Sequence, residues 1–590
     1  MIVRYLSLSL LLLLLLSSSG VPGSYPTAFA SDFSIFSGPP EGDGPWVVRA
    51  TYSDPQMVSE LPSRLEPWEV HPEEGYLVAE VDRELYLWMQ SIGFGLQVDA
   101  ALTDQIRQPA VWSPYQVSGI PNYPCYRTVE ETYTTAENIA LSYPNLASWL
   151  DIGDSWEKTY PGGDQGYDLY VLRLTNSQIA GPKPGLFVMS GLHAREYAPV
   201  ELNTRFAEYL VENYAIDPDV TWLLDYSEVH LLLQANPDGR KKAESGLSWR
   251  KNTDNLYCSD PNSRGVDLNR NFSFRWGCCN GSSTIPCDEV YRGPAASSEP
   301  ETHAIQSYLR THFPDQRQDD LDAPAPADAE GIFLDLHSYG QLVLWPWGFT
   351  SQDAPNGNTL QTLGRKFAYF NGYDPQQSDE LYPTDGTSDD FAYGELGLAT
   401  YTFEVGNAFF QRCNSFESQV APDNLLALIY AAKTARRPYQ SPAGPEALNL
   451  AINPILSATG NPLQISAIID DTRFSALGGT EPTQNIAAAE ISLDAPPWSV
   501  TPPALTQPLI PADGGFDEKS EMVIATLATA GLSSGRHIAF VRGRDAAGNW
   551  GPPSALFFNV LNPYIYLPMI FTSSTYNAQS APAGIPLTQP

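Results

Sequence analysis

The chain has 590 residues and a formal net charge of −35, with 43% hydrophobic, 12% aromatic and 17% charged residues. That length exceeds one ordinary domain and allows a large buried core, and the apolar content excludes a chain that is disordered over most of its length. The acid excess repels phosphate backbones and anionic membrane surfaces, which argues against a nucleic-acid partner, suits an extracellular protein and leaves room for a structural calcium ion.

At the N-terminus Arg4 precedes an apolar run over residues 6–16, and Ala28-Phe29-Ala30 offers a small-residue cleavage site, so residues 1–30 read as an export signal. The run falls well short of the roughly 20 residues that a membrane-spanning helix needs, and no later segment resembles one. Residues 31–110 read as a linker followed by a small α+β unit, with strands at 47–52 and 76–81 and a helix starting over 82–89. The Pro-rich stretch 108–123 is a candidate processing site.

From 111 to 437 strands alternate with amphipathic helices, the pattern of an α/β domain whose mixed, mostly parallel central sheet is flanked by helices. Residues 186–190, 229–233, 332–336 and 399–403 are buried-type strands. Val200, Thr204, Ala207 and Leu210 share one face of a helix over 199–214. His337 and Glu404 follow two of these strands, at the end where open α/β sheets bind ligands. Residues 440–560 are rich in Pro, Ala and Thr, with short alternating runs such as 537–542 and a turn at 545–549. They predict an Ig-like or fibronectin-like β-sandwich. Residues 561–590 form a tail, apolar at 565–571, that reads as disordered or as a sorting or anchoring signal.

Six cysteines, Cys125, Cys258, Cys278, Cys279, Cys287 and Cys413, predict disulfides in an oxidising compartment, with all pairings open. A Cys-based zinc site competes with that reading but lacks a second CxxC-like pair. Of the seven histidines, His71, His303, His312 and His537 read as solvated or structural and His230 as packed in a strand.

His193 and Glu196 lie three residues apart in a turn that ends a strand, so both can reach one metal ion. Zinc accepts a neutral imidazole and a carboxylate, and His337 at a distant strand end completes a three-ligand set with a position open for hydrolysis. A lone His-x-x-Glu occurs often by chance. Residues 266–271 add Asp267, Asn269 and Arg270 in one segment, and arginine suits bidentate binding of a carboxylate. Glu404, facing the attacking water, can take its proton and pass it to the leaving amine.

Together these motifs resemble the zinc carboxypeptidases of the carboxypeptidase A/B type, most closely the secreted bacterial branch typified by carboxypeptidase T, over residues 126–437. The landmarks are Gly191-Leu192-His193-Ala194-Arg195-Glu196, Asn236-Pro237-Asp238-Gly239, Trp249-Arg250-Lys251, Gly265-Val266-Asp267-Leu268-Asn269-Arg270-Asn271, His337-Ser338-Tyr339 and Phe403-Glu404. The resemblance implies one Zn2+ per chain held by His193, Glu196 and His337, with Asp267 fixing the tautomer of His193. It implies Glu404 as general base and then acid, and Arg250 as the group that stabilises the oxyanion. Asn269 and Arg270 would grip the substrate's terminal carboxylate, with Arg195 nearby, and Tyr382 would close over it. Asp389 would line the floor of the side-chain pocket, with Ser388 and Asp390 leaving the register open by one. That acid suggests basic C-terminal residues, and related bacterial enzymes also take apolar ones, so dual specificity is expected.

The resemblance further implies that the unit at 46–105 is an inhibitory pro-region, so that an activating protease acts on a monomeric zymogen whose substrates are peptides with a free C-terminus. Two other readings compete. A same-fold amidase acting on cell-wall peptides, or a deacylase, is disfavoured by Asn269, Arg270 and Tyr382. A surface-binding pseudoenzyme is disfavoured by the intact His193, Glu196, His337 and Glu404.

Overall fold

A computed structural model of the protein describes residues 39–107, 116–160, 166–500 and 504–561. The export signal, residues 108–115 of the processing stretch, and the tail beyond 561 with its apolar run lie outside the described residues.

Period-two alternation organises the first unit. Strands β1 (Trp46–Thr51), β2 (Glu69–His71), β3 (Tyr76–Val81) and β4 (Gly95–Val98) form an antiparallel sheet in the order β2-β3-β1-β4. Val48, Ala50, Leu77 and Ala79 turn one way, onto Leu85, Tyr86 and Met89 of the helix Arg83–Ser91. Val47 and Val78 turn the other way, onto Phe409 of the large central unit, so both sheet faces are buried. Asp82 caps the helix by accepting a hydrogen bond from the Leu85 amide at 2.8 Å. The sequence reading missed β2 and β4, which are three and four residues long and half-exposed, too short to show a period.

The central unit contains β5 (Ala147–Asp154), β6 (Asp168–Leu174), β7 (Gly185–Ser190), β8 (Glu228–Leu232), β9 (Ile332–His337), β10 (Leu342–Trp345), β11 (Asp374–Gln377) and β12 (Ala399–Glu404). They make one sheet in the order β11-β10-β12-β9-β7-β8-β6-β5. The middle strands β12, β9, β7 and β8 run parallel, and antiparallel strands flank them on both sides. Leu186 and Val188 belong to one apolar core while Phe187 and Met189 belong to the other. This explains why β7 reads as an unbroken apolar run: helices cover both of its faces.

Strands β13 (Glu446–Asn453), β14 (Leu456–Ala458), β15 (Leu463–Asp470), β16 (Ile486–Leu493), β17 (Leu505–Pro511), β18 (Ser520–Leu527), β19 (Gly535–Asp545) and β20 (Ser554–Leu561) build the C-terminal layer. Their order is β13-β15-β18-β17-β16-β19-β20-β14. Its two halves enclose a core of Ile465, Ile469, Val523, Ile491, Val541 and Phe558, and β17 pairs with both β16 and β18. The halves are therefore joined at one side, and the layer resembles a barrel more than two free-standing sheets.

All six cysteines pair, as Cys125–Cys413, Cys258–Cys287 and Cys278–Cys279, which excludes a Cys-based zinc site. Among the described residues no helix is long and apolar enough to cross a membrane.

Candidate active site

Three parallel strands end at one edge of the central sheet, and the polar side chains gather there. After β7 the chain turns at Gly191, whose φ is +71° and where a Cβ would stand 2.9 Å from Val200 Cγ2, so only glycine fits without strain. This turn sets His193 and Glu196 just before the helix Tyr197–Asn213. β9 and β12 run one residue further than their apolar pattern indicates, and their last residues, His337 and Glu404, are paired as neighbours.

His193 Nδ1 lies 2.8 Å from Glu196 Oε1, and His337 Nδ1 lies 3.1 Å from Glu196 Oε2. The two Nδ1 atoms are 3.0 Å apart, and none of the three residues is more than 3% exposed. Carboxylates face the far nitrogens: Asp267 Oδ1 is 3.2 Å from His193 Nε2, and Asp335 Oδ2 is 2.9 Å from His337 Nε2. A carboxylate at Nε2 holds the proton there, so both Nδ1 lone pairs converge with a carboxylate oxygen on one point. Three acceptors facing one another in a buried space repel unless a cation lies between them, and two imidazoles with one carboxylate suit zinc.

The electrostatics agree with this donor set. Burial disfavours a charged His337, yet Asp335 and Glu196 push its pKa well above the imidazole range. The surroundings call for positive charge at this point. Among the described residues His193, Glu196 and His337 form the one group placed to hold a metal, so the calcium admitted by the acid excess finds no comparable cluster.

Asp267 also aligns Arg250, whose Nε and Nη2 donate to Asp267 Oδ2 at 3.1 and 2.9 Å. Burial works against the charge on Asp267, but Arg250 and His193 hold it well below the carboxylate range. Burial pushes Glu404 well above that range; His337 opposes the push, and Glu196 and Glu66 add to it. Arg270 donates through Nε to Gly281 O at 3.0 Å and through Nη1 to Asn269 O at 2.8 Å. Its Nη2 is buried without a hydrogen-bond partner. Asn269 Oδ1 accepts from the Ser388 amide at 2.9 Å.

The sequence reading missed Glu66, which enters this site from the loop before β2. Its carboxylate forms an ion pair with Arg250, lies 3.8 Å from Arg270 Nη2 and accepts from the Tyr382 hydroxyl at 2.5 Å. Burial works against its charge, but Arg250, His193 and Arg270 lower its pKa. Nothing in Leu65-Glu66-Pro67 marks this residue locally, since its partners lie far along the chain. A cavity of about 40 Å³ remains beside it, lined among others by His193, Arg270, His337, Tyr382, Asp389 and Glu404.

Of residues 388–390, Asp389 alone lines the cavity. Its Oδ2 accepts from Ser378 Oγ at 3.0 Å, while Asp390 binds the Gly348 amide and Ser388 binds Asp335. Arg195 is placed elsewhere. It is fully buried against Glu289 at 2.7 Å, Glu80 of β3 at 3.4 Å and Ser248, outside the cavity. His71, His230, His303, His312 and His537 also lie outside it; His230, for example, bonds to the Tyr308 hydroxyl at 2.7 Å.

A family model described as zinc carboxypeptidase matches residues 132–425. A zinc carboxypeptidase of Saccharothrix mutabilis subsp. capreolus is 32% identical over 305 residues, which cover 48% of this chain and 62% of that protein. The chain thus spans less than two thirds of the length of this relative. Carboxypeptidase A4 of Mus musculus is 30% identical over 316 residues, 52% of this chain and 68% of that protein. The crystal structure of carboxypeptidase A from Helicoverpa armigera superposes with a TM-score of 0.54 at 22% identity. It covers 67% of this chain and 98% of that one, a likeness of fold.

Proposed function

The chain belongs to the zinc carboxypeptidase family, and on that premise we propose that it is a metallo-exopeptidase removing single residues from the C-termini of peptides. The observation that carries this reading is Arg270, a buried guanidinium whose Nη2 makes no hydrogen bond and faces the Glu66 carboxylate at 3.8 Å, beside the convergent His193, Glu196 and His337. A buried cation without its counter-charge costs about 3–5 kcal/mol, so a chain end with its carboxylate is favoured over an internal peptide bond.

His193, Glu196 and His337 would hold zinc, which would supply Lewis-acid chemistry towards a carbonyl and a water. Glu404, whose raised pKa suits proton exchange, takes the proton of the attacking water and passes it to the departing amine. Arg250, held in line by Asp267, faces the oxyanion that develops. Asn269 and Arg270 hold the terminal carboxylate, and Tyr382 covers it. Asp389 pairs with a Lys or Arg side chain, while apolar C-terminal residues are also accepted. The ordered motifs favour the secreted carboxypeptidase T-like branch, and three disulfides support export to an oxidising compartment.

Residues 46–105 act as an inhibitory pro-region in this reading. Glu66 stands where the substrate's carboxylate would, and Glu80 occupies Arg195 until an activating protease cuts beyond that unit.

The test is a panel of blocked dipeptides ending in Arg, Lys, Phe, Leu or Glu, run on the processed protein with and without a chelator. Hydrolysis is expected for free carboxylates, with loss on chelation and recovery with zinc. Equal rates on C-terminally amidated peptides would overturn the exopeptidase reading.

A further inference from the structure

Asp335 is a fully buried carboxylate in β9, set between Leu334 and Leu336 in an otherwise apolar strand. Residues two apart on a strand share a face, so Asp335 projects alongside His337. Its Oδ2 lies 2.9 Å from His337 Nε2 and accepts the Ser388 hydroxyl at 2.5 Å, whereas its Oδ1 is buried with no partner. Ser388 is the first residue of the helix Ser388–Leu396, and its amide donates to Asn269. One carboxylate therefore touches a residue of the metal triad and the helix that carries Asp389.

A buried, half-satisfied carboxylate is costly in an apolar strand. The cost is recovered where the charge does something that a Leu or Thr could not. We propose that Asp335 is a positioning residue of the metal site. It keeps the proton on His337 Nε2, aims Nδ1 at the metal, raises the basicity of that ligand, and through Ser388 locks the imidazole to the start of the pocket helix. The arrangement parallels Asp267 on His193, with one difference. Asp267 gives its second oxygen to Arg250, while Asp335 has no cation of its own and is matched by the charge His337 faces. The assignment rests on the zinc carboxypeptidase reading, in which His337 is a ligand.

The experiment measures zinc affinity by chelator competition, and the visible spectrum after Co2+ substitution, for the full chain and its Asp335→Ala, Asp335→Asn and Ser388→Ala variants. Asp335→Ala is expected to weaken zinc binding by about 10–100-fold and to shift the cobalt bands. Asp335→Asn, which keeps an acceptor for Nε2–H, should recover part of the loss, and Ser388→Ala should give a smaller loss with the same spectral trend. Wild-type affinity and an unshifted spectrum in Asp335→Ala would overturn the proposal. If that variant does not fold, the same two null results in Ser388→Ala would overturn it. Failure of the parent chain to bind zinc stoichiometrically is a separate outcome, which overturns the metal reading itself.

Discussion

Glu404 and Asp389 share one small cavity, yet each is read through a different chemistry. Glu404 ends a strand beside His337, and burial raises its pKa, which makes its carboxylate a stronger base towards a water proton and its protonated form ready to pass that proton on. Glu404→Gln keeps the shape of the side chain and removes that exchange. It should lower turnover by about 10²–10⁴-fold while zinc content, measured by atomic absorption, stays at one per chain. Turnover near the parent rate would remove Glu404 as the base. Asp389 sits across the cavity, braced by Ser378. Asp389→Asn should depress kcat/KM for peptides ending in Lys or Arg by about tenfold or more, as expected when a buried cation loses its counter-charge. Peptides ending in Phe or Leu should be nearly unaffected, and an equal loss on all four would refute the pocket assignment.

At the scale of the element, the start of the helix Pro300–His312 is built on buried acid. Glu301 accepts from the Trp156 amide at 2.7 Å and Glu299 accepts from Asn252 at 2.8 Å. Burial raises Glu299 to about 7 and Glu301 to about 8, and raises nearby Asp238 to about 6. These folded-state values lie above those of the unfolded chain, so the folded protein keeps protons that the unfolded one releases. Their stabilising contribution is complete below about pH 4.5 and is lost as pH rises through 6 to 8. Glu301→Gln keeps an acceptor for Trp156 and cannot ionise. Thermal melts of the variant should show a smaller drop in Tm between pH 5.5 and pH 8 than the parent, and an undiminished drop would show that Glu301 does not titrate in this window.

At the scale of the molecule, two additional layers lean on one central sheet. On the proposed pro-region reading Glu66 of the N-terminal layer, paired with Arg250 and Arg270, blocks the site, so Glu66→Ala should leave both arginines open to substrate. The uncleaved variant should then hydrolyse small blocked dipeptides at least about tenfold faster than the uncleaved parent, given the usual cost of removing one partner from a buried charge pair. An uncleaved variant as inert as the parent would mean that shape, not this carboxylate, closes the site. The C-terminal layer is joined by the buried pair Lys366–Glu446 at 3.0 Å, by Arg365–Glu481 at 3.0 Å and by Trp222 against Trp498 at 5.9 Å. Phe540 of β19 belongs to the same apolar core as the helices of the central unit. That layer is packed against the central unit and is not tethered by a linker alone.

Local pattern was enough for the class of fold and the buried strands, and it offered His193, Glu196 and His337 as candidate ligands, a set that the resemblance to zinc carboxypeptidases made specific. A continuous apolar run marks a strand covered on both faces, and His193, Glu196, His337 and Glu404 stand where such runs stop, a position visible without any partner. The short strands Glu69–His71 and Gly95–Val98 were invisible because three or four half-exposed residues show no period. The cysteine pairing was undecided because separations of 288, 29 and 1 residues obey no common rule. Glu66 against Arg250, Asp335 between His337 and Ser388, and Asp389 rather than Asp390 in the cavity are choices among chemically equivalent acids. Only the packing of distant segments selects among them, since a carboxylate's role depends on which cation or imidazole the fold brings within hydrogen-bond reach.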